Sequence, residues 1–214
     1  MSWRSHFFYR KESWKTTWKL RLSVIALILL GGRFLCVFLA DRVAQGLVCA
    51  EKTPHSDALL LENFDPDYLL FKRARVLRDT GVASRIVVPV GDKDVANSVG
   101  KGFVEVMARI AQLPNTEIIP IHQEEPISLN AARQIKDFLL KEHIKSIVVV
   151  APAFRSRRSE LVYGTVLRPA GIAVGCVPVF GSRLPENWTE TWHGVQEVAE
   201  QFSKLQYYRF FVLW

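Results

Sequence analysis

The densest chemistry in the chain lies between residues 154 and 159, which read Phe154-Arg155-Ser156-Arg157-Arg158-Ser159. A helix beginning here adds free backbone N–H groups and partial positive charge to its guanidinium groups and hydroxyls. That combination suits a phosphate, sulfate or carboxylate. The competing reading is a solvated turn whose arginines pair with acids such as Glu124 and Glu125. A second segment, Glu124-Glu125-Pro126-Ile127-Ser128-Leu129-Asn130, offers Glu125 as a general base and Asn130 to orient a substrate, with Ser128 beside it. Purely structural carboxylates are the alternative there. A third, Asn187 to Gln196, sets Trp188 and Trp192 as a stacking wall beside His193, a group able to move protons. The same residues also suit an aromatic cluster packing the last helix.

The elements that would position these groups can be read from the hydrophobic pattern. Short apolar runs at Asp57–Leu61, Arg85–Val90, Glu117–Ile121, Ser146–Ala151 and Ile172–Val177 are rich in Val, Ile and Leu and bounded by Gly, Pro or polar residues, as buried strands are. Helices fit between them. One is capped by Asp65 with Pro66 at its first position and closed by Gly81, a second covers 101–112, and a third is capped by Ser128 and runs through Leu129–His143. Two more cover 156–167 and a long stretch from Thr191. Five strands alternating with helices predict an α/β fold, a Rossmann-like parallel sheet with helices on both faces. The ligand crevice of such a sheet lies beyond the carboxyl ends of the strands. That rule adds Glu62 and Asn63 after the first strand and Gly91 after the second to Ser128, Asn130, Phe154, Arg155, Ser156, Arg157 and Arg158 as candidate ligand contacts. Glu125 and His193 are the candidate catalytic groups.

Charge divides the chain unevenly. Residues 1–40 carry seven of the 28 Lys and Arg but one of the 21 acids, Glu12, a balance of +6; residues 41–214 are left with +1. A body so nearly neutral argues against nucleic acid as a partner. Residues 22–40, LSVIALILLGGRFLCVFLA, contain a single charge, Arg33. As a helix they span about 28 Å, close to the hydrocarbon thickness of a bilayer. The preceding segment interleaves Arg4, Arg10, Lys11, Lys15, Lys19 and Arg21 with Trp3, Phe7, Phe8, Tyr9, Trp14 and Trp18. Positive charge before the span predicts the N-terminus in the cytoplasm and residues 41–214 outside. The organisation expected is therefore a basic aromatic segment (1–21), a transmembrane helix (22–40), a connecting helix and linker (41–54) and an extracytoplasmic α/β domain (55–214). A cleaved signal peptide and a buried core helix are the rival readings of 22–40.

Cofactor signatures do not help. The first strand is followed by Glu62-Asn63-Phe64-Asp65, not G-x-G-x-x-G, and Glu62 as a ribose-binding acid is the one hint of an adenosyl cofactor. Neither a Walker loop, H-E-x-x-H, C-x-x-C nor G-x-S-x-G is present, so neither cofactor nor metal is assigned. Cys49 and Cys176 could pair in an oxidising compartment, but buried free thiols are the expectation.

Several of these pieces together resemble the YdcF-like family, which includes the SanA and ElyC groups of bacterial envelope proteins. They are the apolar anchor, Asp57-Ala58 entering the first strand, Arg73-Ala74 and Gly81 around the next helix, Pro126 to Ala131, and Phe154 to Arg158. The likeness covers roughly residues 55–205. It implies a Rossmann-like domain facing the periplasm or cell exterior, linked to envelope integrity and surface-glycan assembly, and it carries over Asn130, Arg157 and Arg158 with Ser128 in support. Two positions depart from the family pattern. Its Gly-rich turn after the first strand is here Glu62-Asn63, and its His before the arginines is here Phe154. The job of that His either passes to His193 or is lost. The expected function is thus a bilayer-anchored domain binding an anionic precursor, a phosphorylated or lipid-linked glycan, with transfer or hydrolysis as the reaction. A non-catalytic scaffold or regulator, docking through the aromatic end Tyr207 to Trp214, is the alternative.

Overall fold

The computed structural model describes residues 17–62, 67–92 and 99–213. The chain divides into two compact units, Met1–Ala40 and Asp41–Trp214. Helix α1, Trp18–Gly46, contains a window of mean hydropathy 2.4 and is long and apolar enough to cross a membrane. None of that window is buried, so it is not the core helix of this fold.

The second unit is built on five strands, β1 (Ala58–Leu61), β2 (Arg85–Gly91), β3 (Thr116–Ile121), β4 (Ser146–Pro152) and β5 (Ala173–Val179). All pair in parallel, in the order β3-β2-β1-β4-β5. Leu60 in the central strand faces Val87 on one side and Val149 on the other. The strands are apolar on both faces because helices cover both. Ala58, Leu60, Val87 and Val149 point toward α4 (Ile127–Lys141) and α5 (Ala153–Leu167), where Ile135, Leu139, Val162 and Tyr163 complete one core. Leu59, Leu61, Ile86 and Val148 point the other way, toward α2 (Tyr68–Asp79) and α3 (Val99–Ile110), against Phe71, Leu77, Val104 and Met107. The period of two along each strand thus separates the two cores. A third cluster joins Ala44 and Leu47 to Phe154 and to Val198 and Leu205 of α6 (Trp192–Tyr207). A π-turn, Tyr208–Val212, ends the described chain.

Local signals moved by a few residues. Asp67 caps α2 by accepting the Leu69 N–H at 2.8 Å; the expected cap, Asp65, lies with Pro66 outside the described residues. Gly81 closes that helix at φ +79°, where a side chain would be strained. Helix α4 begins at Ile127 after Pro126, so Ser128 is already in its first turn and does not cap it. Helix α5 starts directly at Ala153, three residues before the expected 156.

The expectation of free thiols is overturned: Cys49 and Cys176 are joined by a disulfide across 127 positions of sequence. The segment after α1 runs back along β5, where the Lys52 N–H donates to the Cys176 carbonyl at 2.8 Å. Gly175 makes this approach possible. A Cβ there would stand 2.7 Å from the Lys52 carbonyl oxygen. Edge pairing of that kind leaves no mark in local sequence.

Candidate functional site

Strand order reverses between β1 and β4, and this is where a doubly wound sheet opens a crevice at its carboxyl end. Two elements meet there. Glu62 follows β1 and keeps its N–H on the Val150 carbonyl of β4, with its side chain turned inward and 2% exposed. Helix α5 follows β4 without a loop, so its first-turn N–H groups point into the same place.

The helical period decides which side chains of α5 reach Glu62. Arg155, Arg158 and Ser159 share one face. The Ser159 hydroxyl donates to Glu62 Oε2, and Arg155 Nε lies 3.7 Å from the same oxygen. Below them Tyr163 is buried, and burial followed by the Glu62 charge pushes its phenol well above the usual range. Arg158 is 6% exposed. Burial first, and then the Arg155 charge, lower its pKa, against the opposing pull of Glu62. A guanidinium nevertheless stays protonated in a protein. Among the described residues no carboxylate comes within ion-pairing distance of Arg158; its guanidinium carbon sits 5.6 Å from the centroid of the Tyr208 ring. Buried Arg158 and half-buried Arg155 thus lie on the helix face turned toward the buried Glu62. Burying an uncompensated cation is costly, and an anion entering the crevice relieves that cost.

The other residues of the segment are turned away. Arg157 lies on the opposite side of α5, paired with Glu160 at 2.8 Å, and its backbone N–H donates to the Leu47 carbonyl. Phe154 is buried with Ala44, Leu47 and Val198. Ser156 accepts the Cys49 N–H at 2.9 Å and donates to the Ala153 carbonyl, which commits its hydroxyl to structure. The arginine trio is therefore not one cluster: a helix of 3.6 residues per turn cannot present positions 155, 157 and 158 together.

The α4 segment reaches the site by one route. The Ser128 N–H donates to the Tyr208 hydroxyl at 3.1 Å, and that tyrosine carries Arg158. Asn130 instead clamps its own loop, donating to the Glu124 and Glu125 carbonyls and accepting from Arg133. Glu125 is exposed, with the Ile127 N–H 3.4 Å from its carboxylate. His193 is exposed in the first turn of α6 and makes no hydrogen bond or ion pair among the described residues. Gly91 ends β2, and the residue after it, Asp92, holds His122 Nδ1 at 2.7 Å across the ends of β2 and β3. Asn63 lies outside the described residues. A cavity of about 250 Å³ opens beside the start of α5, lined by Asp67, Pro152, Ala153, Phe154, Val179 and Arg183. No family model matches the chain, and no curated protein matches it.

Tyr163 and Tyr208 are the contributors that sequence reasoning left out of the site; Ser159 entered it as one of the hydroxyls of the 154–159 segment, without its partner Glu62. Ser159 and Tyr163 were legible from helical spacing, one and two turns beyond Arg155. Tyr208 was concealed in a run of aromatic residues, from which no local pattern singles out the inward-facing member.

Proposed function

We propose that the second unit binds a phosphate-bearing envelope precursor at the carboxyl end of the sheet, between Arg155, Arg158 and the first turn of α5. The observation that carries this reading is Arg158: a buried guanidinium without a carboxylate partner among the described residues, at the strand-order reversal, on the first turns of a helix whose start no side chain caps. The resemblance to YdcF-like envelope proteins supports the same reading. An enzyme of this kind would transfer or hydrolyse a phosphate- or glycan-bearing group. Calorimetric titration of the full chain in detergent with inorganic phosphate and with a short-chain polyprenyl phosphate tests it. Arg158→Ala is expected to weaken binding of both at least about tenfold. Arg75→Ala, which removes a guanidinium paired with Asp79 on α2, leaves binding unchanged. Equal affinities for wild type and a folded Arg158→Ala overturn the reading.

The placement proposed for residues 41–214 is outside the cytoplasmic membrane of a bacterium, with α1 as a single span and the N-terminus inside. The basic residues before the span support that orientation, and the Cys49–Cys176 disulfide supports an oxidising compartment for the segment beyond the span. A C-terminal alkaline phosphatase fusion is expected to be active and a C-terminal green fluorescent protein fusion dark; the reverse pattern refutes it.

A second reading, a non-catalytic scaffold or regulator, draws on two observations. Phe154 occupies the place of the family histidine and is packed inside, and His193 stands apart from any partner among the described residues. Full complementation by a folded Arg155→Gln/Arg158→Gln variant favours this reading over the first.

A further inference from the structure

The aromatic C-terminus lies outside the site at the sheet's carboxyl end. Tyr208 turns inward, but Tyr207, Phe210 and Phe211 are exposed, Phe211 to 79%, and the Tyr207 and Phe211 rings stack at 6.0 Å. Next to them α5 and α6 border a groove of about 340 Å³, lined by Arg157, Glu160, Gly164, Arg168, Leu205 and Arg209 among others. Arg157 is paired with Glu160, whereas Arg168 and Arg209 make no ion pair among the described residues. Gly164 helps to shape the groove. A Cβ there would stand 3.2 Å from the guanidinium carbon of Arg168, so the glycine lets that group lie close over the helix. Three guanidinium groups against one carboxylate, flanked by exposed aromatic rings, form the composition of an interfacial membrane element. Such rings settle at the level of the headgroups, and arginine forks hold phosphate. The chain adds a tether: the Arg157 N–H donates to the carbonyl of Leu47, which lies seven positions beyond Ala40, the last residue of the apolar run. Seven residues span at most about 25 Å.

We propose that this groove and the Tyr207–Phe211 patch form a second membrane contact, with the phosphate of an anionic phospholipid held by Arg168 and Arg209 and the aromatic rings in the headgroup layer. The inference rests on the membrane-anchor part of the proposed function and is independent of phosphate binding at Arg158. It gives the exposed aromatic end a lipid surface as its partner.

The test uses the full chain carrying Cys36→Ser and a bimane label on Phe211→Cys, reconstituted in nanodiscs of phosphatidylcholine with or without phosphatidylglycerol. A headgroup-level spin-labelled lipid quenches any label at the interface. Quenching about fivefold stronger with phosphatidylglycerol, and abolished by Arg168→Gln/Arg209→Gln, is expected. Quenching that is equal in the two discs, or that survives the double substitution, overturns the proposal. So does shielding of bimane that tracks protein concentration and not lipid composition, which would make a second copy of the chain the occupant. A separate label on Leu30→Cys reports the anchor: failure of a tail-labelled lipid to quench it refutes the membrane span itself and not only the second contact.

Discussion

The guanidinium of Arg158 lies 5.6 Å from the centre of the Tyr208 ring, and the hydroxyl of the same tyrosine accepts the Ser128 N–H at 3.1 Å. One side chain from the end of the chain therefore supports the buried cation on α5 and ties down the first turn of α4. Tyr208→Phe keeps the ring and removes the acceptor, with an expected loss of about 1 kcal/mol. Tyr208→Leu also removes the cation–π contact and is expected to cost about 1–2 kcal/mol more. Thermal unfolding of the full chain measures both; identical losses would mean that the ring does not support Arg158.

Glu62 is the only described carboxylate in contact with the Arg155 face of α5. Glu62→Ala removes the buried carboxylate that faces Arg155 and the buried Arg158 and is expected to destabilise the protein by about 3–5 kcal/mol. Ser159→Ala deletes one hydrogen bond and is expected to cost about 1 kcal/mol. Inorganic phosphate is expected to restore part of the stability of Glu62→Ala, because an anion then takes the place of the carboxylate. Denaturation with and without phosphate separates that outcome from simple misfolding, for which added phosphate would change nothing.

The Cys49–Cys176 bond closes a loop of 127 positions and pins the segment after α1 to β5. In the chain-entropy account, removing a bridge across so long a loop costs about 4–5 kcal/mol. The expected result for Cys49→Ser/Cys176→Ser is a lower unfolding temperature with the sheet retained by circular dichroism. Thiol labelling of wild-type protein drawn from intact cells is expected to modify these cysteines only after reduction.

Asp57 links the start of β1 to β4 by accepting the Lys145 N–H at 2.8 Å and the Ser146 N–H and hydroxyl at 2.9 and 3.0 Å. The backbone donor of Lys145 and then the Ser146 hydroxyl hold its carboxyl below the ordinary value of 3.8. A pKa lowered by folding contributes stability that is whole above the unfolded value and lost as pH falls through the folded one. The stability gap between wild type and Asp57→Asn is therefore expected to be constant from neutral pH to about 4 and to close below it. Unfolding temperatures of the two proteins between pH 7 and 2 check this; a gap that widens in acid contradicts it.

Much of the architecture is a local matter and could be read directly. Apolar runs of four to seven residues separated by amphipathic stretches leave a parallel sheet as the economical way to bury both strand faces, and β1 to β5 lie where those runs lie. The crevice end of the sheet is a consequence of that topology, which is why Glu62, Arg155 and Arg158 could be named from sequence. The apolar run of α1 and the charge imbalance before it are likewise properties of composition.

What the sequence could not express is direction and partnership. Membership of a motif says nothing about which side of a helix a residue occupies once packing fixes the helix's rotation. The third core cluster draws Phe154 inward beside Leu47, and that rotation sends Arg155 and Arg158 to Glu62 and Arg157 to the opposite groove. Asn130 lies at the start of α4, where its spacing puts it, yet its amide is occupied by the carbonyls of its own loop. Cys49 meets Cys176, and Tyr208 meets Arg158, through contacts between segments far apart in the chain. Local periodicity determined which elements form and in what order; only the tertiary packing, by fixing helix rotation and closing long loops, decided which charged groups share a site.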